Sequence, residues 1–119
     1  MQKMRVSYHL TAGGSAIVET FAAGSPMEMV SIYTDRGGKL SMTHYCMLGN
    51  QPRMDLHSVD DGKMIFVFAE DNDVDASKEM HMHSVAMSMI DQDTLVQRWT
   101  MFQDGEAQAA QDMHLTRVE

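Results

Sequence analysis

The sequence predicts an all-β domain: an antiparallel up-and-down meander of eight or nine strands that curls into a barrel or a half-open barrel. Three observations carry that expectation. Glycine-based turn signals (Gly13-Gly14, Arg36-Gly37-Gly38 and Asp60-Asp61-Gly62) separate short segments in which apolar and polar residues alternate. No segment carries a convincing helical repeat, and the connections are too short for the crossovers that parallel strands need. A sheet of this size does not stay flat; it curls, closes or splits.

The elements follow in order. Residues 3–12 are rich in strand formers, and Gly13-Gly14 turns them back into residues 15–21, so these two segments are expected to pair. Ala23-Gly24-Ser25-Pro26 breaks the run before residues 27–35, and Arg36-Gly37-Gly38 leads into residues 39–48. Gly49-Asn50-Gln51-Pro52 makes the next turn, with Asn50 suited to a positive-φ position and Pro52 fixing the exit into residues 53–59. Asp60-Asp61-Gly62 then hands over to residues 63–69, with Met64, Phe66 and Phe68 on one face. Residues 70–78 read as a solvated acidic loop. Its DNDVD run opens like a calcium loop, but it lacks the glycine and has Met82 where the distal Glu belongs, which excludes an EF-hand. Residues 80–90, 95–102 and 108–118 supply three further strands. The EAQAAQ run at residues 106–111 has helical propensity but is too short for more than a turn. Residues 1–119 read as a single domain.

Composition narrows the function. Against 17 Asp and Glu stand 9 Lys and Arg, a formal charge of -8, and no basic run breaks that excess. Nucleic acid and anionic membrane surfaces are therefore poor partners. Cys46 is the single cysteine, so an internal disulfide cannot form. With no signal-peptide core and no apolar run approaching the ~18 residues of a membrane span, a reducing cytoplasm is expected. The 14 methionines suit either ordinary core filling or an interior that adapts to a guest.

Strand parity sorts the polar groups by face. In residues 39–48, Leu40, Met42, His44, Cys46 and Leu48 form the more apolar row, so His44 and Cys46 should point inward. His81 and His83 fall with Val85, Met87 and Met89; Glu19 falls with Ile17 and Phe21; Trp99 falls with Leu95, Gln97 and Met101. On this reading Glu19, His44, Cys46, His81, His83 and Trp99 line one cavity, with Tyr33, Phe66 and Met87 adding aromatic and apolar wall. A one-residue bulge would reverse the members of any strand.

The same residues admit several chemistries. His44 with Cys46, and His81 with His83, repeat a two-residue spacing that would suit a four-ligand metal set, or acid/base histidines. The plainer alternative is hydrogen-bonded core histidines beside an inert cysteine. A haem would need one interior histidine and a large apolar pocket, which nothing in the sequence demands. Nucleophilic catalysis by Cys46 would need a thiolate and a cationic or histidine neighbour, and no nucleophile-turn signature is present. Arg53 either clamps a carboxylate ligand or pairs with an acid such as Asp55 or Glu19 at a rim.

The segments GGSAIVETFAAGSPMEMVSIY, LSMTHYCMLGNQPRM, MHMHS and RWTMFQDG, in that order over nearly the whole chain, resemble a bacterial family of uncharacterised calycin-like proteins, akin in architecture to lipocalins and fatty-acid-binding proteins. The resemblance implies a lipocalin-like barrel without an assigned activity, and an internal arginine such as Arg53 acting as a carboxylate clamp. Members of this kind carry an additional first strand, so the chain reads as a shortened member, of the sort mobile gene cassettes carry. An open seam is then expected, with a homodimer covering the exposed strand edge.

Together these readings give an expected function: sequestration of a small, mostly apolar or amphipathic molecule in the barrel, without turnover, no cofactor being specified. Two alternatives stand beside it, a metal or catalytic site built on His44, His81 and His83, and a filled barrel that serves as an assembly module.

Overall fold

The computed structural model describes residues 5–118. Among the described residues ten strands follow one another, joined mostly by short turns, with residues 69–80 as the long connection: β1 (Val6–Thr11), β2 (Ala16–Phe21), β3 (Met29–Arg36), β4 (Lys39–Tyr45), β5 (Arg53–Asp60), β6 (Lys63–Phe68), β7 (His81–Asp91), β8 (Thr94–Gln103), β9 (Glu106–Ala107) and β10 (Gln111–Thr116). All belong to one antiparallel meander in the order β1-β2-β3-β4-β5-β6-β7-β8-β10, with the two-residue β9 pairing β8 off that path. The sheet curls into a half-barrel. Residues 1–4, where the first expected strand begins, lie outside the described residues.

The half-open form follows from the strand count. Each neighbour along the path is antiparallel, so β1 and β10, at its two ends, run in the same direction. Direct antiparallel closure of β1 on β10 is therefore excluded, and a seam remains between them. Curvature comes from register shifts at Leu56/Ser58 in β5 and at Met82/Ser84 and Met89/Asp91 in β7, each an extra residue that bends its strand.

The turns obey local chemistry. Between β5 and β6, Asp61 and Gly62 take φ values of 52° and 78°, the pair of positive angles that a two-residue hairpin matched to strand twist requires. Before β5 it is Gly49, at φ 88°, that takes the left-handed conformation expected of Asn50, because glycine does so without a Cβ clash. Asn50 instead ties two loops together, its Nδ2 donating to the Met80 carbonyl at 2.9 Å.

Packing fills the concave side. Phe21, Met42, Met54, Phe66 and Val85 are at most 1% exposed, and Tyr33, Met87 and Trp99 close the same cluster. Each large side chain so buried contributes about 1.5–3 kcal/mol of transfer free energy. The centre of the half-barrel is thus side chain rather than void.

Candidate functional site: a polar band and a seam cleft

One residue per strand builds a polar row through this apolar core. In the registers of β1 to β4, Tyr8 stands beside Glu19, Glu19 beside Ser31 and Ser31 beside His44. These inward positions carry hydrogen-bonding groups where their neighbours above and below are apolar. Glu19 is fully buried and accepts from the Tyr8 hydroxyl at 2.5 Å, the Tyr33 hydroxyl at 2.8 Å and Gln97 Nε2 at 2.7 Å. The Trp99 indole N–H donates to Gln97 Oε1 at 2.9 Å. Because that N–H can only donate, it fixes the orientation of the Gln97 amide and turns its NH2 group toward Glu19 and the Tyr8 oxygen. Ser31 Oγ lies 2.8 Å from His44 Nδ1, and the His44 ring leans on Trp99 with centroids 4.7 Å apart.

Burial sets the electrostatics of the band. Desolvation first, then the neighbouring Glu19 carboxyl, hold the Tyr8 and Tyr33 hydroxyls far above the usual phenol range, so both remain donors. Burial alone pushes His44 down to about 4, leaving it a neutral ring at physiological pH. Among the described residues no cation stands within ion-pair distance of Glu19. Buried polar groups of this kind are tolerated because each is hydrogen-bonded.

The band meets solvent at the seam. A cleft of about 630 Å³ opens there, lined from β1 by Val6 and Tyr8, from β7 and β8 by Met89 and Leu95, and beyond them by Leu115 and Arg117. Tyr8 belongs to both features: the residue is 47% exposed and lines the cleft, while its hydroxyl reaches Glu19.

Several expected neighbours stand elsewhere. Cys46 does not extend the His44 row, because β4 ends at Tyr45 and the backbone then closes a turn, with Cys46 N–H donating to Asn50 O and Gly49 N–H to Cys46 O. Its thiol is half-buried in that turn. His81 and His83 form a second cluster rather than a wall of the same cavity. The bulge at His83 breaks the alternation of β7, so that Met82, of the opposite parity to Val85, packs on the core.

In that second cluster the His83 ring is stacked between Phe68 and Phe102, at centroid distances of 4.9 Å and 3.7 Å. His81 Nδ1 faces the Glu79 carbonyl at 2.8 Å, and its Nε2 faces His83 Nδ1 at 2.9 Å. A carbonyl only accepts, so with both rings neutral the proton on His81 sits on Nδ1, and His83 donates to His81. Desolvation first and His81 second hold His83 below the usual histidine range. Arg53 lies on the convex face and takes the second of its two expected roles, an ion pair with Asp55 at 2.6 Å, with Ser41 and the Asp71 carbonyl as further partners. Among the described residues no group of three or more His, Cys, Asp and Glu side chains converges to hold a metal ion.

Comparison with protein-family models, with curated proteins and with solved structures finds no match.

Tyr8, Ser31 and Gln97 were not among the site residues expected from sequence. Gln97 had a signal, a lone polar side chain in the Trp99 row. Ser31 had none, since a small polar residue fits either face, and Tyr8 sits in a strand whose pairing with Glu19 only the register reveals.

Proposed function

We propose that this protein binds and holds a small, mostly apolar molecule in the seam cleft, with the polar band as the floor that orients the guest. The single observation carrying the reading is the coincidence of the two features at Tyr8: a cleft of about 630 Å³ whose wall is the outermost member of a buried hydrogen-bond network. Small-molecule pockets span roughly 300–1,000 Å³ and pair an apolar lining with a few converging polar groups. Val6, Met89, Leu95 and Leu115 supply that lining. Tyr8 spends its proton on Glu19 and one lone pair on Gln97, so its oxygen keeps an accepting position for a donor on the guest. Burial at roughly 25 cal/mol per Å² of apolar area supplies the affinity. The guest is held, not turned over. A calycin-like likeness is supported by the curled antiparallel meander alone.

Native mass spectrometry of freshly purified protein, before and after mild denaturation, tests the reading together with titration of an apolar fluorescent probe. Wild type is expected to take up the probe saturably, and Leu95→Arg, which places a charge in the cleft wall, to lose that uptake at unchanged circular dichroism. Equal uptake by both proteins would sink the proposal.

A further inference from the structure

Taking the seam cleft as the binding site, the reading on which this proposal rests, we infer that its guest is an apolar alcohol or phenol held through an uncharged hydroxyl that donates to the Tyr8 oxygen.

The side chains behind the cleft have no proton left to give. Trp99 donates its one N–H to Gln97 Oε1 at 2.9 Å. Gln97 has two amide hydrogens, and its Nε2 reaches two acceptors, Glu19 Oε2 at 2.7 Å and the Tyr8 oxygen at 3.0 Å. The hydroxyls of Tyr8 and Tyr33 both donate to Glu19, Tyr8 to Oε2 and Tyr33 to Oε1. What the network leaves over is acceptor capacity. A hydroxyl that donates one bond and accepts one keeps a second lone pair, and of these residues it is Tyr8 that lines the cleft. A head group that only accepts, such as an ether, an ester or a ketone, sets lone pair against lone pair at that point. A head group that donates completes the last hydrogen bond of the band.

Charge decides among the donors. Two arginines, Arg5 and Arg117, line the cleft against one acid, Asp93. Asp93 is already engaged, 3.5 Å from Arg117, whose Nη2 also donates to the Gln92 carbonyl. That excess of positive charge disfavours an ammonium guest. A carboxylate is drawn toward Arg5, but against Tyr8 it meets a bare lone pair with Glu19 Oε2 2.5 Å beyond, and it has no proton to donate. An uncharged hydroxyl meets neither penalty. The unpaired side of β1 presents backbone N–H and C=O groups alike and so favours no head group. Val6, Met89, Leu95 and Leu115 cover the apolar remainder of the guest.

Displacement of a bound apolar fluorescent probe tests this with compounds that share a chain and differ at the head. From wild type, 1-decanol is expected to displace the probe more tightly than its isomer methyl nonyl ether, which has the same atoms and no donor, and more tightly than decanoate or decylamine. Tyr8→Phe keeps the ring and loses the oxygen; at unchanged circular dichroism it is expected to lower the alcohol-to-ether ratio about fivefold, the worth of one net hydrogen bond. Where that variant loses its fold, the wild-type comparison decides alone. An ether, decanoate or decylamine that displaces the probe from wild type as tightly as 1-decanol overturns the inference, as does an alcohol that displaces none of it or a ratio that Tyr8→Phe leaves unchanged; in each of these cases the cleft reading stands. Failure of wild type to take up the probe saturably overturns both.

Discussion

At the scale of single residues, the fold acts most on His44. The unfolded chain takes up a proton there near pH 6.5 and the folded chain only near pH 4. Above pH 6.5 both states are neutral at this residue, so His44 makes no difference; below it the unfolded state binds the proton that the folded state refuses. Stability is therefore expected to fall as pH drops through that window, by roughly 3 kcal/mol in full. Urea midpoints measured from pH 7 to pH 4 check this, and His44→Phe should flatten most of the slope. Glu19 is expected to be the most sensitive position of the band. Glu19→Leu leaves the Tyr8 and Tyr33 hydroxyls and the Gln97 amide without their acceptor and should cost about 3 kcal/mol, with Glu19→Gln milder because an acceptor oxygen remains. The inward placement of Glu19, His44 and Trp99 was legible from alternation, since each sits in an otherwise apolar row. Their partners were not, because which residue stands opposite which depends on register, and register is set by turns and bulges rather than by composition.

Strands and turns show where local chemistry suffices and where it does not. The hairpins at Gly37-Gly38 and Asp61-Gly62 fall where the sequence expects them, because a two-residue turn of that hand demands positive φ. Gly62 is a direct test. A Cβ there would meet only the Met89 carbonyl oxygen at 3.7 Å, an ordinary contact, so the cost of Gly62→Ala is conformational. About 1 kcal/mol is expected, read as a shift in the urea midpoint; an unchanged midpoint would remove this account of the turn. Element ends were less legible. β4 stops at Tyr45 rather than residue 48 because the Cys46 backbone bonds within the turn, and Cys46 leaves the core row with it. EAQAAQ is extended rather than helical at its start, since Ala107 pairs with Phe102 on β8. The bulge at His83 has no signature in the sequence, and it interrupts the alternation that places His81 and His83 in one row with Val85.

At the scale of the molecule, one topological fact organises the rest. Nine consecutive antiparallel strands leave the two edges running the same way, so the sheet curls without closing and a seam persists. That seam exposes the end of the polar band at Tyr8 and forms the cleft, with one side of β1 unpaired among the described residues. All-β class and curled shape could be read from turn spacing and alternation. The location of the void could not, because whether a half-barrel is filled depends on how large side chains such as Phe21, Met54 and Phe66 meet across it.

Trp99 gives the central claim its own reporter: it is the only tryptophan, and it hydrogen-bonds Gln97 at the cleft's polar floor. The decisive measurement is energy transfer from Trp99 to an apolar fluorescent probe, titrated into wild type and into Leu115→Arg. Saturable transfer at one probe per chain in wild type, abolished in Leu115→Arg while Trp99 emission without probe is unchanged, is the predicted result. Transfer that never saturates, or that is equal in the two proteins, would contradict the assignment of the seam cleft as the binding site.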